Sequence, residues 1–158
     1  MPSFTIPFFS FFLTIDYHPE LRLIKRIRFA SQNDPTQARP SWAALFLQNL
    51  KSCIIDKDYQ PDLNWLDLGL LTRNQIAVYT TLAKIGPGKT LSYSQLGQKA
   101  QLSPGAARFV GNLMASNPFP IIIPCHRVIR RNGSLGGYAG GVEMKKFLLN
   151  QEKMLKFD

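Results

Sequence analysis

Cysteine and histidine are scarce in this chain, two of each in 158 residues: Cys53, Cys125, His18 and His126. No Cys-x-x-Cys pair occurs and the two histidines are far apart, so the spacing of a zinc site is missing and no metal is expected. Two thiols allow one bridge at most, and reduced, intracellular cysteines are the better expectation. Acids are few too, ten against nineteen Lys and Arg, for a formal net charge of +9. The imbalance is uneven. Residues 1–84 carry 9 Lys/Arg against 7 Asp/Glu, residues 85–158 carry 10 against 3. That asymmetry suits a surface meeting phosphates, with generic surface charge as the plain alternative. No apolar run is long enough to cross a bilayer. The greasy start, Met1 to Ile15, has no basic opening, carries Pro2 and Pro7, and lacks a small-residue cleavage site, so it is expected to be core rather than signal or anchor. Repeats and low-complexity tracts are absent.

What is present describes a globular chain, 45% hydrophobic and 18% charged. Its length suits one domain, or a small one joined to another. Phe9, Phe11, Leu13, Ile15 and Tyr17 alternate as a half-buried strand does. So do Leu21, Leu23, Ile27 and Phe29, opposite Arg22, Arg26 and Arg28, with His18-Pro19-Glu20 as the hairpin between them. Ser31 to Pro40 is polar and predicts a loop. Trp42, Leu45, Phe46, Asn49, Leu50, Cys53 and Ile54 keep helical spacing behind Ser41 as N-cap, which makes Cys53 inert packing. Asp56 to Leu71 reads as a connector. A small α/β unit, antiparallel sheet plus helix, is expected over residues 1–70.

From Thr72 the pattern turns to short helices, giving a mostly helical second unit over residues 71–158. Thr72 predicts a cap for a helix to about Ile85, with Ile76, Tyr79 and Ala83 inward, ended by Gly86-Pro87-Gly88. A brief extended piece, Leu91-Ser92-Tyr93, leads into a helix from about Ser94 to Ala100. Ser103-Pro104 opens another to about Ala115, with a cap and a first-turn proline. Two helices this close read as a helix-turn-helix. Small side chains at Ala106, Ala107 and Gly111 would let a helix face approach a groove.

The run Pro124-Cys125-His126-Arg127 carries the chemistry. A thiol is a strong nucleophile only when ionised, and a neighbouring base and cation raise that fraction. A buried, inert cysteine beside a solvated pair is the ordinary reading of such a run. In an extended segment, neighbouring side chains point to opposite faces. A direct Cys-His contact is therefore not required by the spacing, and a bridging water could close the gap.

The longer stretch Asn117-Pro118-Phe119-Pro120-Ile121-Ile122-Ile123-Pro124-Cys125-His126-Arg127-Val128-Ile129 resembles the active-site signature of the O6-alkylguanine-DNA alkyltransferases, and the likeness runs from about Arg73 to about Glu152. The resemblance implies a methylated-DNA–protein-cysteine methyltransferase that flips an O6-alkylated guanine out of duplex DNA. It then moves the alkyl group to Cys125 once, with no cofactor. It implies a Cys125–water–His126–Glu152 relay, Tyr93 donating to the flipped base, and Asn117 bracing the turn. By the same resemblance Arg108 fills the vacated stack, and its helix, with Ala106, Ala107 and Gly111, lies on DNA, where Arg127 is also expected. Met114, Tyr138, Ala139 and Lys145 would line or adjoin the alkylguanine pocket, in whose wall Gly136 to Gly141 runs. Some relatives carry an N-terminal zinc; this chain lacks the cysteines for one. Many have serine where Ala139 stands, and glycine where Arg130 stands.

Without the family, Glu152 is a surface acid, Arg108 a phosphate contact or solvated charge, Tyr93 core, and Lys145-Lys146 a solvated helix face. Double-stranded DNA bearing O6-alkylguanine is the expected partner of a monomer, cytoplasmic or nucleoid-associated, with no membrane. The rivals are a non-catalytic lesion-binding relative, a helix-turn-helix regulator sensing through Cys125, and a cysteine hydrolase.

Overall fold

The computed structural model describes residues 1–30 and 38–154. Most of the expected loop at Ser31 to Pro40 lies outside the described residues. The apolar start folds as a hairpin, β1 (Ser3–Phe8) and β2 (Phe11–Tyr17), and β3 (Ile24–Ala30) completes an antiparallel sheet in the order β1-β2-β3. The expected strand through Phe9 is thus broken, because Phe9 takes a positive φ of 52° in the two-residue connection. A second departure lies in β3. A register shift at Asp16/Tyr17 pairs Tyr17 with Ile24 and Asp16 with Arg26, so Ile24 and Ile27 both turn inward. Strict alternation would have buried Leu21, which is exposed beyond the strand.

Helix α1 (Ala43–Ile55) covers the sheet with Phe46, Leu50, Cys53 and Ile54. Its N-cap is Trp42, with no side-chain cap, so Ser41 does not play the predicted role. Trp42 serves the core instead, with its ring edge-on to Phe4 and Tyr17.

Helix α2 (Arg73–Ala83) begins where predicted. Thr72 and Gln75 form a reciprocal capping box, and Tyr79 and Ala83 are inward as expected, joined by Val78 and Leu82. A second capping box, Ser92 with Gln95, starts α3 (Tyr93–Lys99) one residue after the short strand β4 (Leu91–Ser92). Helix α4 (Ala107–Ala115) starts three residues later than Pro104, because Gly105 sits at φ 89°, outside helical backbone, and Ser103 caps nothing. The helix-turn-helix is close-packed: a Cβ on Gly97 of α3 would lie 3.4 Å from that of Ala106. After the active-site turn, β5 (Val128–Ile129) pairs in parallel with β4, and α5 (Val142–Met154) closes the described chain. Among the described residues, no helix is long and apolar enough to cross a membrane.

Candidate active site

Three pieces of chain meet at Cys125. Residues 117–124 approach it through a tight turn held by Asn117, whose Nδ2 donates to the Ile123 carbonyl and whose Oδ1 accepts from the Phe119 N–H, both at 2.9 Å. Within the turn, Ile121 sits at φ 80°, a strained backbone for a β-branched residue, with its side chain buried. The next piece, Cys125–Arg127, is a single 3-10 turn rather than the extended segment expected from sequence. Ile123 accepts from the Cys125 N–H at 2.8 Å and Pro124 from the Arg127 N–H at 2.9 Å, so the chain is wound too tightly for strand-like alternation. The β4–β5 pair then sets Ser92 beside Ile129, which brings Tyr93 alongside the turn.

Cys125 is only 3% exposed, yet it opens on a cavity of about 300 Å³ lined by Tyr93, Met114, Ala115, Gly137, Tyr138 and Ala139. Tyr93, Met114, Tyr138 and Ala139 are thus gathered, with Gly137 of the expected wall, while Ala115 joins them. The Tyr93 hydroxyl lies against Gly136, at φ 71°, where a Cβ would come within 3.2 Å of it. The Tyr138 hydroxyl is buried without a hydrogen-bond partner, close enough to Cys125 that each affects the other's ionisation. Behind the wall, Tyr138 leans on Phe29 of β3, ring centroids 5.7 Å apart, and a Cβ on Gly140 would strike the same ring at 2.8 Å. The sheet therefore fixes the pocket loop.

His126, the next residue of the turn, is fully buried. Its Nε2 meets Glu152 Oε1 at 2.6 Å, and its Nδ1 is buried without a partner. Glu152, an ordinary surface acid by sequence alone, lies inside the last turn of α5 and is buried. Arg127 gives it Nε at 3.0 Å and Nη2 at 2.8 Å, both to Oε1, and the Gly88 N–H reaches Oε2 at 3.0 Å. Burial works against the Glu152 carboxylate, but the bonds and charges of His126 and then Arg127 prevail and bring its pKa down to about 2. His126 is held below its usual value, by burial first and by Arg127 and Lys145 as well, against the pull of Glu152. The Cys125 thiol is pushed up by burial, against Asn117, the charge of Lys145 and Tyr138. The resting sulfur is therefore a thiol, where the neighbouring base and cation led the sequence reading to expect more thiolate.

Two expected placements are corrected. Arg127 does not face DNA: it is 3% exposed, and its remaining donors bind the Cys53 carbonyl at 2.7 Å and the Ile85 carbonyl. A guanidinium so enclosed lies out of a phosphate's reach. Lys145 is no pocket wall and no solvated face. It is buried, donating to the carbonyls of Val128 at 2.7 Å and Leu135 at 2.5 Å, and so ties β5 to the pocket loop from behind. Lys146 is the exposed neighbour, paired with Glu143. Arg108 is exposed on α4, with Ala107 and Gly111 half-buried, and Ala106 turned against Gly97. Cys53 is inert as expected, its thiol pushed up to about 12 by burial, and both cysteines are free. The contributions of Ile85, Gly88 and the Cys53 carbonyl come from main chain, which side-chain pattern does not signal.

A helix-turn-helix joined to a buried cysteine–histidine–glutamate site defines the class. The model of the 6-O-methylguanine DNA methyltransferase DNA-binding domain matches residues 73–154, and the chain belongs to that family. It is 38% identical over 125 residues to a methylated-DNA–protein-cysteine methyltransferase of Methanothermobacter thermautotrophicus, an alignment covering 79% of this chain and 67% of that protein. To the protein of the same name from Shigella flexneri it is 49% identical over 81 residues, 51% of this chain and 47% of the relative. The alignment thus spans about half the length of that relative. Among solved structures, Mycobacterium tuberculosis OGT in complex with DNA superposes with a TM-score of 0.77 at 32% identity, covering 98% of this chain and 94% of the other.

Proposed function

We propose that this protein repairs DNA by taking the alkyl group of an O6-alkylguanine onto Cys125, once per molecule, as a monomer. The observation that carries the reading is a buried thiol opening on a cavity and backed by the His126–Glu152 contact of 2.6 Å. Kinship with methylated-DNA–protein-cysteine methyltransferases supports the substrate class.

The cavity lies inside the protein surface, so a base within a duplex must leave its stack to reach the sulfur. Arg108, exposed on α4, is the side chain we assign to the vacated space, since a guanidinium is planar and permanently charged. With the base in the cavity, the Cys125 proton passes to His126 Nδ1 through a bridging water. Glu152 stabilises the imidazolium that forms. The S–C bond forms as the C–O6 bond breaks, with the electron pair leaving on the guanine. A hydrogen bond from Tyr93 disperses that charge. The proton lent to His126 finally neutralises the departing guanine. A thioether remains, and nothing in the site reverses it. We assign residues 71–158 to this work and residues 1–70 to its support, a division consistent with a family match that starts at residue 73.

Mixing the protein with duplex DNA containing O6-methylguanine and weighing it should show one added methyl per chain, on the Cys125 peptide. Cys125→Ser should gain none. Lesion-bound but unmodified wild-type protein would instead make this a lesion-binding relative.

A further inference from the structure

Arg127 lies at a junction that the alkyl-transfer reading leaves unexplained. Its guanidinium touches three elements at once: the carbonyl of Cys53 near the end of α1, the carbonyl of Ile85 just after α2, and Glu152 on α5. Glu152 Oε1 thereby receives Nε and Nη2 of Arg127 in addition to Nε2 of His126, and Oε2 takes the Gly88 N–H. The carboxylate is thus fully bonded and already neutralised by a permanent cation.

That matters for the imidazole beside it. A buried carboxylate with no other counter-ion would draw a proton onto His126, forming a closed ion pair whose Nδ1 is protonated and useless as a base. With Arg127 as counter-ion, His126 can stay neutral, donate from Nε2 to Glu152, and keep a lone pair on Nδ1, the atom left without a partner.

We propose that Arg127 is a positioning residue: by serving as the counter-ion of Glu152 it keeps His126 uncharged with Nδ1 free, and the α1 end, through the Cys53 carbonyl, holds it there. The N-terminal half thereby enters the proton relay without contacting substrate. The inference rests on the alkyl-transfer reading above. Around the ring, the titratable and charged groups are Cys125 and Arg127 from its own turn, and Glu152 and Lys145 from α5. Farther out, Cys53 on α1 faces Arg127 and Glu152, while Tyr79 on α2 and Tyr138 face Cys125. Of these, only Arg127 bonds to Glu152 as a cation.

Two histidines make the imidazole nitrogens easy to follow by 15N NMR, alongside the rate of Cys125 alkylation by free O6-alkylguanine across pH. Wild-type His126 should be the neutral Nε2–H tautomer at pH 7; an imidazolium there would overturn the proposal with no variant needed. In Arg127→Gln the His126 midpoint and the acid limb of the rate should both move up by about one pH unit or more. Arg127→Lys should hold both near their wild-type positions while reacting more slowly, because one ammonium cannot replace the fork. Guanidinium ions at millimolar concentration should restore part of the rate in Arg127→Ala, and urea, the neutral analogue, should not. Unchanged midpoints in Arg127→Gln, with only stability lost, would reduce Arg127 to a structural clamp. Wild-type protein that never gains an alkyl group at Cys125 would refute the underlying reading instead.

Discussion

Asn117 shows how one side chain can hold a functional turn. Both of its amide atoms bind buried main-chain groups, and the turn between them contains Ile121 at a positive φ. Replacing Asn117 by alanine leaves the Ile123 carbonyl and the Phe119 N–H without those partners. Such losses cost about 2–4 kcal/mol together, which predicts a thermal midpoint lower by roughly 5–15 °C, measurable by calorimetry. Reaction with free alkylguanine should slow as well, because the cysteine follows this turn directly. At this scale the sequence was legible where chemistry is carried by rare side chains: Cys125, His126, Asn117 and Tyr93 stand where the motif put them. It misled for Arg127, since a cation reads as solvent-facing unless its acceptors are known, while Lys145, expected at the pocket, stands behind its wall. Here the acceptors are largely carbonyls, which look alike at every residue.

The helices α2 and α3 both start on capping boxes, and the second places Tyr93 at the first helical position beside the cavity. Helix α4 has no side-chain cap and is fixed by packing, with Val110, Leu113 and Met114 buried and Arg108 and Phe109 outward. An exposed arginine on such a helix should matter only when a base must be extracted. Arg108→Ala is therefore expected to slow repair in duplex DNA by about tenfold or more, while its rate with free alkylguanine stays within about twofold of wild type. Equal losses in the two single-turnover assays would remove Arg108 from extrusion. Helix positions were readable from periodicity and caps, as Thr72 shows. Boundaries failed where backbone conformation overrode pattern: Gly105 delays α4, Phe9 breaks the first strand, and the shift near Asp16 adds Ile24 to the buried face of β3 and leaves Leu21 outside.

Across the whole molecule, the buried triad of His126, Arg127 and Glu152 links the fold's stability to pH. Glu152 is ionised down to about 2 when folded, against an ordinary value of 4.5, so its contribution is complete above 4.5 and vanishes as pH falls toward 2. His126 is lowered from 6.5 in the fold, so below that pH the unfolded chain binds its proton first and is favoured. Both effects have one sign. Urea midpoints should fall steadily from pH 7 to pH 4, and Glu152→Gln should lose the part below 4.5; a midpoint flat over that range would contradict the linkage. The two halves also meet at the pocket, where Phe29 supports Tyr138 and the Ile27 N–H donates to the Pro118 carbonyl at 2.8 Å. Such long-range contacts have no local signature, which is why the sequence did not show how residues 1–70 meet the pocket.

The enclosure of Cys125 has a consequence for how such a protein survives. A nucleophile that waits protonated under cover is slow prey for peroxide or stray electrophiles, and Cys53 is shielded in the same way. The alkyl transfer proposed for it is thereby reserved for a molecule shaped to fit the chamber, and selectivity comes from dormancy rather than from vigour.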